Sequence, residues 1–219
     1  MHYEQKFIAN TYSRFPTDLC RGEGATLWSE SGKKYVDFGS GIAVNSFGVN
    51  DEEWKSAVIA QLNKVQHASN LYYTPPQAEL AEMLCSRTGA KKIFFSNSGA
   101  EANECAIKAA RKYSFDKYGE GRFRIVTLKN SFHGRTMATL SATGQEAMHR
   151  CFAPMLDGFD YAEPTFESVR AKCSKATCAV MLELVQGEGG VRPLPVEEVQ
   201  KIEKFCKKND ILLIIDEVQ

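Results

Sequence analysis

The chain has 219 residues and a mass of 24.4 kDa, enough for one sizeable domain or one and a half. Its composition, 43% hydrophobic and 25% charged, excludes collagen-like, low-complexity and intrinsically disordered chains. Lys plus Arg number 27 and Asp plus Glu number 27, so global charge gives no case for nucleic acid or an anionic membrane as a partner.

No apolar run approaches the roughly 20 residues needed to span a bilayer. The start, Met1-His2-Tyr3-Glu4-Gln5-Lys6, lacks the basic-then-apolar order of a signal peptide, so a cytoplasmic protein is expected. The cysteines at 20, 85, 105, 151, 173, 178 and 206 form no CxxC pair. Most lie in apolar segments and are expected to be reduced core thiols.

In chain order, residues 1–66 read as an N-terminal arm, a small hairpin and a helix, and residues 67–219 as part of a larger α/β domain. Leu27-Trp28 and Tyr35-Val36-Asp37-Phe38 are strand-like and flank a turn containing Gly32. Trp54, Val58, Leu62 and Val65 recur at helical spacing and predict an amphipathic helix over about 52–66. Pro75 and Pro76 open another helix, with Leu80, Met83 and Leu84 on one face.

Ile93-Phe94-Phe95 reads as a short strand, followed by a long helix. Ala102, Cys105, Ala106, Ala109 and Tyr113 are expected on its apolar side. Strands are predicted at 124–128 and 178–182, with a Gly-containing turn at 131–135 between them. Pro195 suits the first turn of a further helix, whose apolar face is Val199, Ile202, Phe205 and Cys206. Ile211-Leu212-Leu213-Ile214-Ile215 is apolar without a break, the pattern of a strand covered on both faces. Alternating strands and helices predict an α/β fold with a largely parallel sheet flanked by helices. Such a strand needs cover from later elements, so the chain is expected to be the front part of something longer.

In open α/β sheets, ligands gather beyond the carboxyl ends of the strands. Four polar or glycine-containing clusters fall there. Ser98-Gly99-Ala100 opens the long helix, where free N–H groups and the dipole suit an anion, although an ordinary capped turn has the same look. Asp216 follows five branched aliphatics and should be shielded from water, so its carboxylate calls for a compensating partner. A protonated heteroaromatic nitrogen, the N–H groups of the following loop, or Mg²⁺ could serve; without a Walker A loop the last is disfavoured. Phe132 offers an aromatic face and Arg135 a fork for a carboxylate, or else a core ring and a structural cation. His133 by itself reads as a hydrogen-bonded structural group. Glu183 and Glu188 bracket a glycine-rich loop, which tight turns alone could also explain. No His/Cys/carboxylate cluster has metal-ligand spacing.

Taken together, Ser96-Asn97-Ser98-Gly99-Ala100-Glu101-Ala102-Asn103-Glu104, Ser131-Phe132-His133-Gly134-Arg135-Thr136, Gln186-Gly187-Glu188-Gly189-Gly190 and Asp216-Glu217-Val218-Gln219 occur in an order that resembles the class-III aminotransferases. These use pyridoxal phosphate on a fold-type-I scaffold. Gly41-Ile42-Ala43-Val44-Asn45 and Asn70-Leu71-Tyr72-Tyr73 are similar to the acetylornithine-type branch. The resemblance runs over essentially the whole chain. It departs from the pattern at Leu184, where Pro is frequent, and at Val49-Asn50-Asp51, where a His-containing stretch is usual.

The resemblance implies that residues 67–219 belong to the large cofactor-binding domain. It implies that Ser98, Gly99 and Ala100 hold the cofactor phosphate, that Phe132 stacks on the pyridine ring, and that Asp216, the catalytic residue of the set, pairs as a carboxylate with the protonated ring nitrogen. Gln219 would lie beside the phenolic oxygen. Arg135 would grip the substrate carboxylate, Glu188 would be the acid that switches between substrates, and Glu183 would support the site. The implied reaction is transamination between N-acetylornithine and 2-oxoglutarate in a homodimer, with ornithine, succinyl-diaminopimelate or 4-aminobutyrate as alternative donors. The family's Schiff-base lysine is expected beyond Gln219, because Lys201, Lys204, Lys207 and Lys208 fall on the solvent side of a helix. A lysine-free, non-catalytic module is the reading from another class.

Overall fold

The computed structural model describes residues 6–219. The beginning of the N-terminal arm, and most of the stretch read above for a signal sequence, lie outside the described residues. The chain divides into two compact units with the boundary between Gly89 and Ala90. The boundary expected from sequence, after residue 66, groups the helix that ends at Gly89 with the residues after it.

The first unit contains a three-stranded antiparallel meander, β1 (Arg21–Glu23), β2 (Thr26–Trp28) and β3 (Lys34–Val36), in the order β1-β2-β3. The predicted hairpin is β2–β3, with Thr26 opposite Val36 and Trp28 opposite Lys34. Gly32 turns it with φ 82°, a left-handed value that glycine adopts without a Cβ penalty. β1 was not predicted; its three residues carry no alternation long enough to register. After the meander, Ser40, Gly41, Ile42 and Ala43 all have left-handed φ, between 46° and 62°, and Asp37 Oδ1 accepts from the N–H groups of Gly39 and Ser40 at 2.9 and 2.8 Å.

Helix α1 (Glu52–Leu62) starts where Asp51 accepts from Trp54 N at 2.8 Å. Helix α2 (Pro75–Thr88) has Pro at its first turn and ends on Gly89 in the left-handed conformation. Both helices occur where the spacing predicts them. Trp54, Leu62, Leu80 and Met83 on their apolar faces are exposed, and Leu84 is half-buried.

The second unit is a parallel four-stranded sheet in the order β5-β4-β6-β9. Its strands are β4 (Arg124–Leu128), β5 (Phe159–Ala162), β6 (Thr177–Leu182) and β9 (Leu212–Ile215). Helix α3 (Gly99–Tyr118) precedes β4, and the short helices α4 (Met137–Ala142) and α5 (Glu146–His149) precede β5. Helix α6 (Phe166–Lys172) leads to β6 and helix α7 (Val196–Lys208) to β9, so the connections are the crossovers that parallel pairing requires. Between β6 and α7 the glycine-rich segment forms a small hairpin of β7 (Val185–Gln186) and β8 (Arg192–Pro193).

Side chains alternate across the sheet and feed two cores. Val126, Leu128, Val180 and Leu182 pack with Val169, Ile202 and Cys206 on one face. Ile125, Ala179 and Met181 pack with Ile107 and Ala110 of α3 on the other. Every residue of β6 is buried, because this strand is central and covered on both sides.

Four expectations need correction. The buried side of α3 is Asn103, Ile107, Ala110 and Ser114, not the stripe through Ala102, Cys105 and Ala109. An Ala-rich helix offers two plausible apolar stripes, and only the sheet it meets decides between them. Ile93-Phe94-Phe95 joins no ladder among the described residues, and Phe94 is exposed. A strand exists through its partner, which an apolar run cannot specify. Among the described residues β9 is the last strand of the sheet, and its residues are half-buried. Only Cys178 and Cys206 are buried; Cys85, Cys105 and Cys173 are half-buried, and Cys20 and Cys151 are exposed. Burial pushes the Cys206 thiol up to about 12 and the Cys173 thiol to about 11, so neither is a nucleophile near neutrality. Pro195 caps α7 from outside its first turn, and Ile202 and Cys206 are the buried part of the face predicted for that helix.

Candidate active site

The carboxyl ends of β4, β6 and β9 converge, and three of the four clusters follow directly from them. Asp216 comes first after β9, with its N–H extending the ladder to Leu182 O at 2.8 Å. Its side chain is only 4% exposed. Oδ2 accepts from Asn103 Nδ2 at 2.7 Å and lies 2.8 Å from His133 Nδ1, while Oδ1 accepts from Val218 N at 3.1 Å. Burial by itself pushes this carboxyl up, but the hydrogen bonds from His133, Asn103 and Val218 outweigh it and hold the group below the ordinary value. Asp216 is therefore a buried anion. The sequence reading of a shielded carboxylate holds, and the hydrogen bond from the following loop is present as well.

The loop after β4 is fastened to its neighbours through its backbone. Phe132 N donates to Glu183 Oε1 at 2.9 Å, His133 N to Thr143 Oγ1 at 2.9 Å, and Asn103 Nδ2 to His133 O at 2.9 Å. Glu183, at the end of β6, also accepts from Gly187 N at 3.2 Å. Burial raises the Glu183 carboxyl despite these two N–H groups, which oppose the shift. The two acids are thus tuned in opposite directions by their surroundings.

The first turn of α3 meets the same place. Ser98 caps it by accepting from Glu101 N at 3.2 Å, leaving the Gly99 and Ala100 N–H groups without intrahelical partners. A Cβ on Gly99 would lie 2.7 and 2.8 Å from the Val218 methyl groups, and one on Gly134 would lie 2.7 Å from the Ala100 Cβ. Only residues of minimal size fit that cradle. The Glu101 carboxylate closes back on the turn through Asn97 N at 2.6 Å.

Among the residues singled out from sequence, Ser98, Gly99, Ala100, Phe132, Glu183 and Asp216 are linked through this network. Gln219 lies against Gly187, where an added Cβ would sit 3.4 Å from the Gln219 Cβ. Phe132 is half-buried and carries the exposed Arg135 guanidinium 5.6 Å from its ring centroid, a cation–π contact. Glu188 stands exposed in the tight turn where Gly190 N returns to Gly187 O at 3.1 Å. Lys201, Lys204, Lys207 and Lys208 are all exposed on α7.

Sequence reasoning missed Asn103 and the partnership of His133 with Asp216. A face for α3 drawn one residue further along would have put Asn103, a polar residue, in one stripe with Ile107 and Ala110. Among the described residues no group of three or more His, Cys, Asp or Glu could hold a metal ion, and no helix is long and apolar enough to cross a membrane.

The donor set suits a ligand with an anionic end and a cationic heteroaromatic end. The helix terminus supplies free N–H groups for the first, and the buried Asp216 anion suits the second.

Comparison with known proteins agrees. The chain is 50% identical over 218 residues to the acetylornithine aminotransferase of Haemophilus ducreyi, covering 99% of this chain and 56% of that protein. It is 47% identical to the acetylornithine aminotransferase of Caldanaerobacter subterraneus, over 99% of this chain and 56% of that one. The chain thus spans about half the length of the curated relatives it matches. The crystal structure of N-acetylornithine aminotransferase from Stenotrophomonas maltophilia superposes with a TM-score of 0.80 at 31% identity, over 98% of this chain and 52% of that one. An amine transaminase from an uncultivated Pseudomonas species, solved in its PLP-bound form, gives a TM-score of 0.87 at 26% identity, over 97% of this chain and 56% of that one. Residues 7–219 match the model for aminotransferase class-III, and the chain belongs to that family.

Proposed function

We propose that these residues form the cofactor-binding half of a pyridoxal-phosphate aminotransferase that moves an amino group from N-acetylornithine to 2-oxoglutarate, giving N-acetylglutamate semialdehyde and glutamate. The observation that carries this reading is Asp216: a carboxylate almost wholly buried, yet held ionised by donors to both oxygens. Pyridoxal phosphate supplies an electron sink that stabilises the carbanion left when the substrate loses its proton. An anion beside the ring nitrogen keeps that nitrogen protonated, and with it the sink.

The other residues act on either side. Gly99 and Ala100 present N–H groups to the phosphate, with Ser98 shaping the turn. Phe132 covers one face of the ring and Gln219 meets the phenolic oxygen. Arg135 binds the substrate carboxylate as a planar fork. Glu188 pairs with an arginine outside these residues when the amino donor is bound and releases it for 2-oxoglutarate. Glu183 ties the loop carrying Phe132 to the turn at Gly187. The nucleophilic lysine lies beyond residue 219. Residues 67–219 belong to the large cofactor-binding domain and residues 1–66 form the arm, hairpin and helix preceding it; the whole enzyme is a cytoplasmic homodimer. The identity to acetylornithine aminotransferases favours N-acetylornithine over ornithine, succinyl-diaminopimelate or 4-aminobutyrate as donor.

The test is spectroscopic. Full-length protein reconstituted with pyridoxal phosphate should be yellow, lose that colour with N-acetylornithine, and regain it with 2-oxoglutarate. Bleaching by ornithine or 4-aminobutyrate in preference would reassign the donor, and no colour change with any amine would end the reading.

A further inference from the structure

His133 is 2% exposed and held at three points: its N–H on Thr143, its carbonyl on Asn103, and its Nδ1 at 2.8 Å from Asp216 Oδ2. Among the described residues its other ring nitrogen, Nε2, is buried and finds no hydrogen-bond partner. This asymmetry selects a tautomer. A proton on Nε2 would orphan a buried donor and set a bare Nδ1 lone pair against a carboxylate oxygen. A proton on Nδ1 turns the same contact into a charge-assisted hydrogen bond and leaves only an unused acceptor.

The same count distinguishes the two oxygens of Asp216. Oδ2 is engaged by both Asn103 and His133, whereas among the described residues Oδ1 accepts only from Val218 N. Oδ1 is the oxygen with acceptor capacity left. Without the Nδ1–H, Oδ2 would regain a free lone pair and the carboxylate could present either oxygen.

We propose that His133 is a positioning residue, whose Nδ1–H, with the Asn103 amide, locks Asp216 so that Oδ1 is the atom that meets the protonated ring nitrogen of the cofactor. This rests on the reading of Asp216 as the partner of that nitrogen. His133 touches neither substrate nor cofactor in this assignment; it acts through Asp216. Thr143 and Asn103 in turn fix the backbone from which the imidazole projects.

The experiment uses full-length holoprotein reconstituted with cofactor carrying ¹⁵N in the ring. In the His133→Asn variant the amide nitrogen falls near the place of Nδ1; in His133→Gln it falls near the place of Nε2. The wild type and His133→Asn should both show a protonated ring nitrogen. His133→Gln should show loss of protonation and cofactor binding weakened by about tenfold, the scale of one lost hydrogen bond to a charged group. A packing role alone gives the opposite order, since Gln fills the imidazole volume better than Asn, and that result would overturn the inference. A measurement on unaltered protein guards against variants that fail to fold: the ¹⁵N spectrum of the His133 imidazole should show the Nδ1–H tautomer, and an Nε2–H tautomer would overturn the proposal. An unprotonated ring nitrogen in the wild type would instead remove the Asp216 reading beneath it. Wild-type protonation that persists in His133→Gln removes only the role of His133.

Discussion

Asn103 and Asp216, 113 residues apart in sequence, are joined by a 2.7 Å hydrogen bond inside the protein. The same amide nitrogen also reaches His133 O at 2.9 Å, so a single side chain on α3 binds both the anion after β9 and the loop after β4. It is the strut that keeps these two strand ends in register with the first turn of the helix.

Replacing that strut has a defined expected result. Asn103→Ala leaves a buried carboxylate one donor short and a buried carbonyl unpaired, and should lower stability by about 1–3 kcal/mol. Chemical denaturation of the full-length protein measures it. A change within a few tenths of a kcal/mol would mean that the pair is not buried as described.

Gly99→Ala introduces a Cβ at 2.7 and 2.8 Å from the methyl groups of Val218. Either the first turn of α3 or Val218 must move, and cofactor affinity should fall by at least tenfold if the turn moves. Val218→Ala removes both methyl groups, so the double variant should recover much of the loss. Equilibrium dialysis of the cofactor gives the comparison, and an absence of recovery would place the defect elsewhere.

The two buried acids predict a pH signature. Asp216 has a folded-state value below the ordinary 3.8, so its contribution to stability is present above that value and is lost as pH falls through the depressed one. Glu183 is raised above 4.5 by burial, so the native state holds its proton more tightly than the unfolded chain does. Its ionisation costs stability as pH rises through the raised value, and acidification restores that stability before Asp216 begins to protonate. Glu183→Gln removes this contribution. The stability of the wild type relative to the variant should therefore rise as pH falls through the raised Glu183 value to the ordinary 4.5; a constant difference would show that the group is not shifted.

Glu183→Gln also carries a geometric consequence. The two carboxylate oxygens accept from two different N–H groups, Phe132 and Gly187, at 2.9 and 3.2 Å. An amide has one acceptor oxygen, so one of these donors must face an NH₂ group. Loss of order should appear at Phe132 or Gly187 in amide exchange, and unchanged protection at both would contradict the arrangement.

Much of this protein follows from local patterning. The strands at 124–128, 177–182 and 212–215, the helices from Glu52, Pro75, Gly99 and Val196, and a carboxylate shielded after five aliphatics are all consequences of periodicity, caps and glycine placement along single segments. That the four clusters fall at strand or helix termini, where ligands gather in open α/β sheets, was legible too. What required the folded chain was pairing. Which stripe of α3 is buried, whether 93–95 finds a ladder, and which residues secure Asp216 all depend on what lies across from each segment. Asn103 and His133 illustrate the reason: a hydrogen bond between groups 83 or 113 residues apart is a property of relative position, and neither residue's own neighbourhood encodes the distance to its partner.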